Sequence, residues 1–229
     1  IAAGKTVLCA ACLQPSTEMV LAEMKEHEKY EQDFYVAVTP YYYNSTQEAT
    51  IEHFKTIAKA APAPLIVYHI PSRTHNDITV DSVLKLLDIP NIAGIKDSSA
   101  NFVSFSRCFL AGQKDGFAWI QGDDLLDAPS LLMGANGIVT GLSNIWIDPY
   151  NDLYKAALEK NVTAAYEAQK NINKLFEVIK VTNGKVGPSI KAAIEILGRG
   201  KRAMKQASLT LADKEVAMVE TVLKNIGIV

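Results

Sequence analysis

The sequence predicts an α/β fold on a parallel sheet, and three observations carry the prediction. Six short apolar runs alternate with longer segments of helical period, the connections between them are short, and 229 residues of near-average apolar and charged content can bury one large core. Strands and helices that alternate in this way require right-handed crossovers between parallel neighbours. The candidate strands are Thr6–Ala11, Phe34–Thr39, Pro64–Ile70, Ile92–Ile95, Phe117–Gln121 and Gly137–Thr140. Between them, Thr17–Tyr30, Thr46–Ala60, Val80–Leu87, Asn101–Leu110 and Leu125–Leu132 repeat apolar residues about every three or four positions, which is helical spacing. Ser16, Thr46 and Thr79 stand where a side-chain oxygen can cap the first, second and third of these helices. An open doubly wound sheet and a closed (β/α)8 barrel both begin with such units, so periodicity does not choose between them. No GxGxxG or GxxxxGK[ST] follows a strand, which argues against a nucleotide-binding open sheet.

After Trp146 the pattern changes to helices alone: Asp148–Glu159, Thr163–Lys180, Pro188–Leu197 and Leu211–Ile226, broken at Asn183-Gly184 and Gly198-Arg-Gly200. The formal net charge is −2, with no dense basic block, so nucleic acid is not an expected partner, and no apolar stretch reaches the length of a membrane span. A cytoplasmic protein is expected. Three cysteines make no disulfide framework. Cys9-Ala-Ala-Cys12 lies in a strand-like run, where residues three apart face opposite sides, so it is not read as a redox or zinc motif. His27, His53, His69 and His75 are scattered without ligand spacing, and no metal site is expected.

Lys96 ends the apolar run Asn91-Ile-Ala-Gly-Ile-Lys96 ahead of Asp97-Ser-Ser. A strand buried on both faces would place its amine partly out of water, where desolvation penalises the ammonium form and favours attack on a carbonyl to give a Schiff base. Other polar residues gather at the carboxyl ends of neighbouring strands, where both α/β architectures put their sites. Thr39-Pro-Tyr-Tyr-Tyr43 ends the second strand, Tyr68 the third and Gly122-Asp-Asp124 the fifth, while Arg73 follows in Ile70-Pro-Ser-Arg-Thr74. Taken singly, Tyr68 is an ordinary core aromatic and Arg73 an ordinary loop charge. Beside a Schiff-base lysine, a tyrosine can carry the protons that imine formation moves, and an arginine offers a fork for a carboxylate. Asp123-Asp124 reads better as a helix start than as an acid–base pair.

Val38-Thr-Pro-Tyr-Tyr, Tyr68-His-Ile-Pro-Ser-Arg-Thr74, Gly94-Ile-Lys-Asp97, Gly122-Asp-Asp124 and Gly134-Ala-Asn-Gly-Ile138, in this order and spacing, resemble the dihydrodipicolinate synthase / N-acetylneuraminate lyase family. The resemblance runs over essentially the whole chain and is closest to the synthases. It implies a (β/α)8 TIM barrel with a C-terminal helical extension, assembled as a homotetramer of two tight dimers, and class I aldolase chemistry with no metal or organic cofactor. The corresponding division is a partial barrel over residues 1–145, then the end of the barrel and the helical extension over 146–229. By motif match Lys96 forms the imine with pyruvate and Tyr68 shuttles protons. The resemblance also implies that Tyr42 is lent across the tight-dimer interface to a neighbour's proton relay, that Arg73 holds the carboxylate of the aldehyde substrate, and that backbone around Gly122 and Ile138 lines the pocket.

The chain departs from the family pattern in two places. The Gly-Thr-Thr-Gly-Glu segment that binds the pyruvate carboxylate has no counterpart, and the chain opens with Ile1-Ala-Ala-Gly rather than Met, so the first two βα units of the barrel are expected to be missing. Such a chain would expose strand edges and would aggregate or stay inactive. Lys96 is followed by Asp97 rather than the glutamate common among the synthases, and His75 stands where glycine is frequent. The leading expectation is condensation of pyruvate with aspartate semialdehyde, in lysine biosynthesis. The alternatives are a 2-keto-3-deoxy sugar acid or N-acetylneuraminate-type aldolase, and a non-catalytic relative that binds a keto acid or serves in assembly.

Overall fold

The computed structural model describes residues 5–229, and the expected entry through Ile1–Gly4 lies outside them. Six strands form one parallel sheet: β1 (Cys9–Cys12), β2 (Phe34–Val38), β3 (Leu65–His69), β4 (Ile92–Asp97), β5 (Ala118–Gln121) and β6 (Gly137–Ile138). Their spatial order is β1-β2-β3-β4-β5-β6, each paired in parallel with the next. That order has no reversal, so the sheet winds in one direction as a barrel does and lacks the switch point of a doubly wound sheet. It is an open arc, since β1 and β6 each pair with one strand among the described residues. These residues therefore form a partial, unclosed parallel sheet of the kind expected of a partial barrel.

The helices are α1 (Thr17–His27), α2 (Gln47–Ala60), α3 (Pro71–Thr74), α4 (Val80–Leu87), α5 (Phe102–Ala111), α6 (Asp127–Met133), α7 (Asp148–Leu158), α8 (Val162–Lys180), α9 (Val186–Ile196) and α10 (Asp213–Asn225). The three expected caps are made: Ser16 Oγ accepts from the Met19 amide, Thr46 Oγ1 from Ala49 and Thr79 Oγ1 from Ser82. Two strands are shorter or shifted. Thr6–Leu8 stays outside β1 because β2 offers no partner before Phe34; there, Leu8 N donates to Asp33 Oδ2 at 2.8 Å and Leu8 O accepts from the Asp33 and Phe34 amides. Residues 139–140 fall outside β6, whose register runs only from Ile120 opposite Gly137 to Gln121 opposite Ile138. Asp124 opens a single 3-10 turn, Asp124–Leu126, ahead of α6. On β1, Cys9 is exposed and Cys12 buried, as strand alternation requires.

The chain divides into two compact units, Ile1–Asp123 with Ala135–Ile138, and Asp124–Gly134 with Val139–Val229. The first holds the sheet with α1 to α5, and its core includes Tyr35, Phe54, Ile57, Leu65, Ile78, Leu86 and Phe105. Phe105, Phe109 and Phe117 pack around Trp119. The second is helical. Within it α8 contacts α6, α7, α9 and α10, and Leu142, Ile145, Leu153, Ile172 and Leu175 are fully buried. Asn183 (φ 56°), Gly184 (φ 80°) and Gly198 (φ 69°) turn the chain after α8 and α9 in the left-handed conformation that ends helices.

Candidate active site

Parallel pairing of β3 with β4 sets Tyr68 opposite Lys96 and His69 opposite Asp97. Side chains alternate along a strand, so Tyr68 and Lys96 share one face of the sheet while His69 and Asp97 share the other. On the first face, Lys96 Nζ stands 4.1 Å from the centroid of the Tyr68 ring, a cation–π contact that brings the two groups together. Gly122, just beyond β5, makes room for the lysine: a Cβ there would lie 2.7 Å from Lys96 Cε and would collide with Ser98 Oγ. Ser98 Oγ donates to Gly122 O at 3.1 Å, and Gly122 N donates to Asp97 O at 2.8 Å, which ties the ends of β4 and β5. Ile138 ends β6 opposite Gln121.

Arg73 and Tyr42 lie beyond these strand ends, Arg73 on the short α3 and Tyr42 on a loop, and both are exposed. Arg73 sits on α3, a single turn whose amides bond back to Ile70 and whose C-cap, His75, adopts φ 58°. That left-handed conformation explains why glycine suits the position. Tyr42 is 83% exposed with φ 84°, and its ring meets Tyr43 edge-on at 4.8 Å. A bulky residue in this conformation costs on the order of 1–3 kcal/mol and persists only where its surroundings impose it. The imposing residue is Asn76. Its buried side chain donates to the carbonyls of Pro40 (2.8 Å) and Tyr43 (2.9 Å) and accepts from the Ser45 amide (2.7 Å), clasping the tyrosine loop to the arginine loop. Nothing in the sequence motifs singled out Asn76, because its partners are more than thirty positions away.

The opposite face carries a cluster that sequence reasoning also missed. The buried His69 ring places Nδ1 3.1 Å from Asp97 Oδ2 and Nε2 2.8 Å from Asp77 Oδ1. Burial works against the charged ring, but the hydrogen bonds and charges of Asp97 and Asp77 outweigh it and raise its pKa. His53, by contrast, is shifted toward its neutral form. Burial lowers its pKa, Nε2 lies 3.0 Å from Val38 O at the end of β2, and Nδ1 lies 2.8 Å from Thr17 Oγ1.

The chain is similar to known proteins over nearly its whole length. The model of the dihydrodipicolinate synthetase family matches residues 1–226. A 4-hydroxy-tetrahydrodipicolinate synthase of Neisseria meningitidis serogroup B is 31% identical over 212 residues, covering 93% of this chain and 72% of that protein. Among solved structures, dihydrodipicolinate synthase from Aquifex aeolicus superposes with a TM-score of 0.90 at 28% identity, covering 99% of this chain and 77% of that one. The chloride-inhibited synthase from Acinetobacter baumannii, complexed with pyruvate, gives 0.92 at 27% identity, covering 100% and 77%. A match over nearly the whole chain, together with a sheet that sets Lys96 beside Tyr68, shows that the chain belongs to the dihydrodipicolinate synthetase family.

Proposed function

We propose that this chain is a Schiff-base lyase that condenses pyruvate with an aldehyde, and that the aldehyde is aspartate semialdehyde, as in the first step of a lysine pathway. The observation that carries the reading is the Lys96 amine held over the Tyr68 ring at the strand ends. The Lys96 amine attacks the keto carbon of pyruvate, and the carbonyl oxygen leaves as water once it has been protonated. We assign the passing of those protons to the hydroxyl of Tyr68, whose ring lies against the amine. The protonated imine withdraws electrons from the adjacent methyl, which loses a proton to give an enamine. The enamine carbon then forms the new bond to the aldehyde carbon, whose oxygen takes up a proton. The imine itself serves as the electron sink, so the reaction asks for no metal or organic cofactor.

Arg73 supports the choice of aldehyde, since an exposed guanidinium on a short, hydrogen-bonded turn suits a carboxylated substrate better than a polyhydroxylated one. Exposed Tyr42, strained outward by Asn76, fits a residue lent to a second copy of the chain within a tight dimer of a tetramer. The test is intact mass spectrometry after incubation with pyruvate and borohydride, followed by peptide mapping. A reduced pyruvyl adduct is expected on Lys96 and none on the Lys96→Ala chain. Absence of the adduct from a folded sample would favour a non-catalytic relative. Arg73→Ala is expected to lower turnover with aspartate semialdehyde by about 10²-fold while adduct formation changes little. Equal losses in both would make Arg73 structural, and faster turnover with a sugar-derived aldehyde would point to the sugar acid aldolase instead.

A further inference from the structure

The two partners of His69 Nε2 make incompatible demands. Asp77 Oδ1, at 2.8 Å, needs a proton on that nitrogen, whereas the Ile78 amide, which points at it from 3.2 Å, needs its lone pair. One protonation state of the ring serves the carboxylate and the other serves the amide, while Nδ1 keeps its proton toward Asp97 in both. The segment that feels this choice is the one that matters for substrate. Asp77 follows Asn76, which clasps the Tyr42 loop, and lies four residues beyond Arg73. Asp97 follows Lys96 in β4, and His69 follows Tyr68 in β3.

We propose that His69 is a proton-controlled latch and a positioning residue: doubly protonated, its ring ties Asp97, next to Lys96, to Asp77 in the loop that carries Arg73 and holds Tyr42. Loss of the Nε2 proton releases the Asp77 side chain and hands the ring to the neighbouring Ile78 amide, which moves the hold on the loop from its side chain to its backbone. The charged and titratable groups that reach the ring are Asp97 from β4 and Asp77 from the loop. From α5, burial and, after it, the charges of Asp97 and Asp77 push the Cys108 thiol up to about 11, against the opposing pull of Arg107. Asp77 is 69% exposed at its side chain, so the latch is open to solvent protons on one side while Asp97 anchors the other.

The effect on turnover rests on the lyase reading above, whereas the latch itself does not. The experiment is a histidine-ring and amide NMR titration of the full chain, beside the kinetics of wild type and Asp77→Asn. The Ile78 amide is expected to titrate with the midpoint of the His69 ring, and Asp77→Asn is expected to lower that midpoint by about one unit. In wild type the KM for the aldehyde should rise several-fold, on the order of 3–10, as pH passes above the midpoint. Asp77→Asn should show the high value at every pH while borohydride trapping of pyruvate on Lys96 stays within about two-fold. An Ile78 amide that ignores His69, or an Asp77→Asn chain with unchanged midpoint and KM, overturns the latch. A wild-type chain that traps no pyruvate overturns the lyase reading, and the coupled titration of Ile78 and His69 then decides the latch alone.

Discussion

Two buried histidines, His69 on β3 and His53 on α2, respond to acid in opposite senses. His69 has its pKa raised by two carboxylates, so its contribution to stability is complete below the unfolded value of about 6.5 and is lost as pH rises through the folded value. His53 has its pKa lowered by burial, so its contribution is complete above about 6.5 and is lost as pH falls through the folded value. Urea unfolding as a function of pH is therefore expected to show His69→Gln removing the loss on the alkaline side and His53→Gln removing the loss on the acid side. A single group sets the pocket's shape in the same direct way. Gly122→Ala would press a methyl onto Lys96 Cε and Ser98 Oγ, both ends of flexible side chains that can yield. The expected outcome is a fall of about tenfold or more in the rate of pyruvate trapping with a small change in the urea midpoint, since repositioning by about 1 Å is enough to disrupt attack. Loss of folding instead would mean that Gly122 serves the sheet and not the lysine.

The loops beyond β2 and β3 behave as one element because Asn76 joins them. Asn76→Ala removes from a buried site the bonds donated to the carbonyls of Pro40, Tyr43 and Thr74 and the one accepted from the Ser45 amide, leaving those groups to find other partners. A loss of about 2–4 kcal/mol in chemical denaturation is expected, along with relaxation of Tyr42 from φ 84°. A loss near zero would show that water replaces the clasp. The helices around the sheet were legible in advance because their signals are local: Ser16, Thr46 and Thr79 cap as their positions imply. The ends of β1 and β6 were not, because a strand extends only as far as its neighbour pairs with it, and that limit belongs to the partner strand.

The sheet of the first unit ends at β1 with one side unpaired among the described residues, and the exposed side chains of Val7, Leu8 and Leu13 flank that edge. Apolar edges of this kind pair with other edges. The chain is expected to self-associate in a concentration-dependent way, measurable by static light scattering, and Val7→Lys with Leu13→Lys is expected to suppress it. A monodisperse wild-type chain at all concentrations would show that the edge is protected. The α/β class, the helical C-terminal stretch, and the candidacy of Lys96, Tyr68 and Arg73 were all readable along the chain. Periodicity, capping and charge at the end of an apolar run are properties of neighbouring residues. The strand order, the pairing of Tyr68 with Lys96 across 28 positions, the His69–Asp97–Asp77 cluster behind them and the Asn76 clasp appear only in the folded chain. Each depends on hydrogen bonds between segments distant in sequence, whose register is set when the sheet assembles and not by the residues on either side.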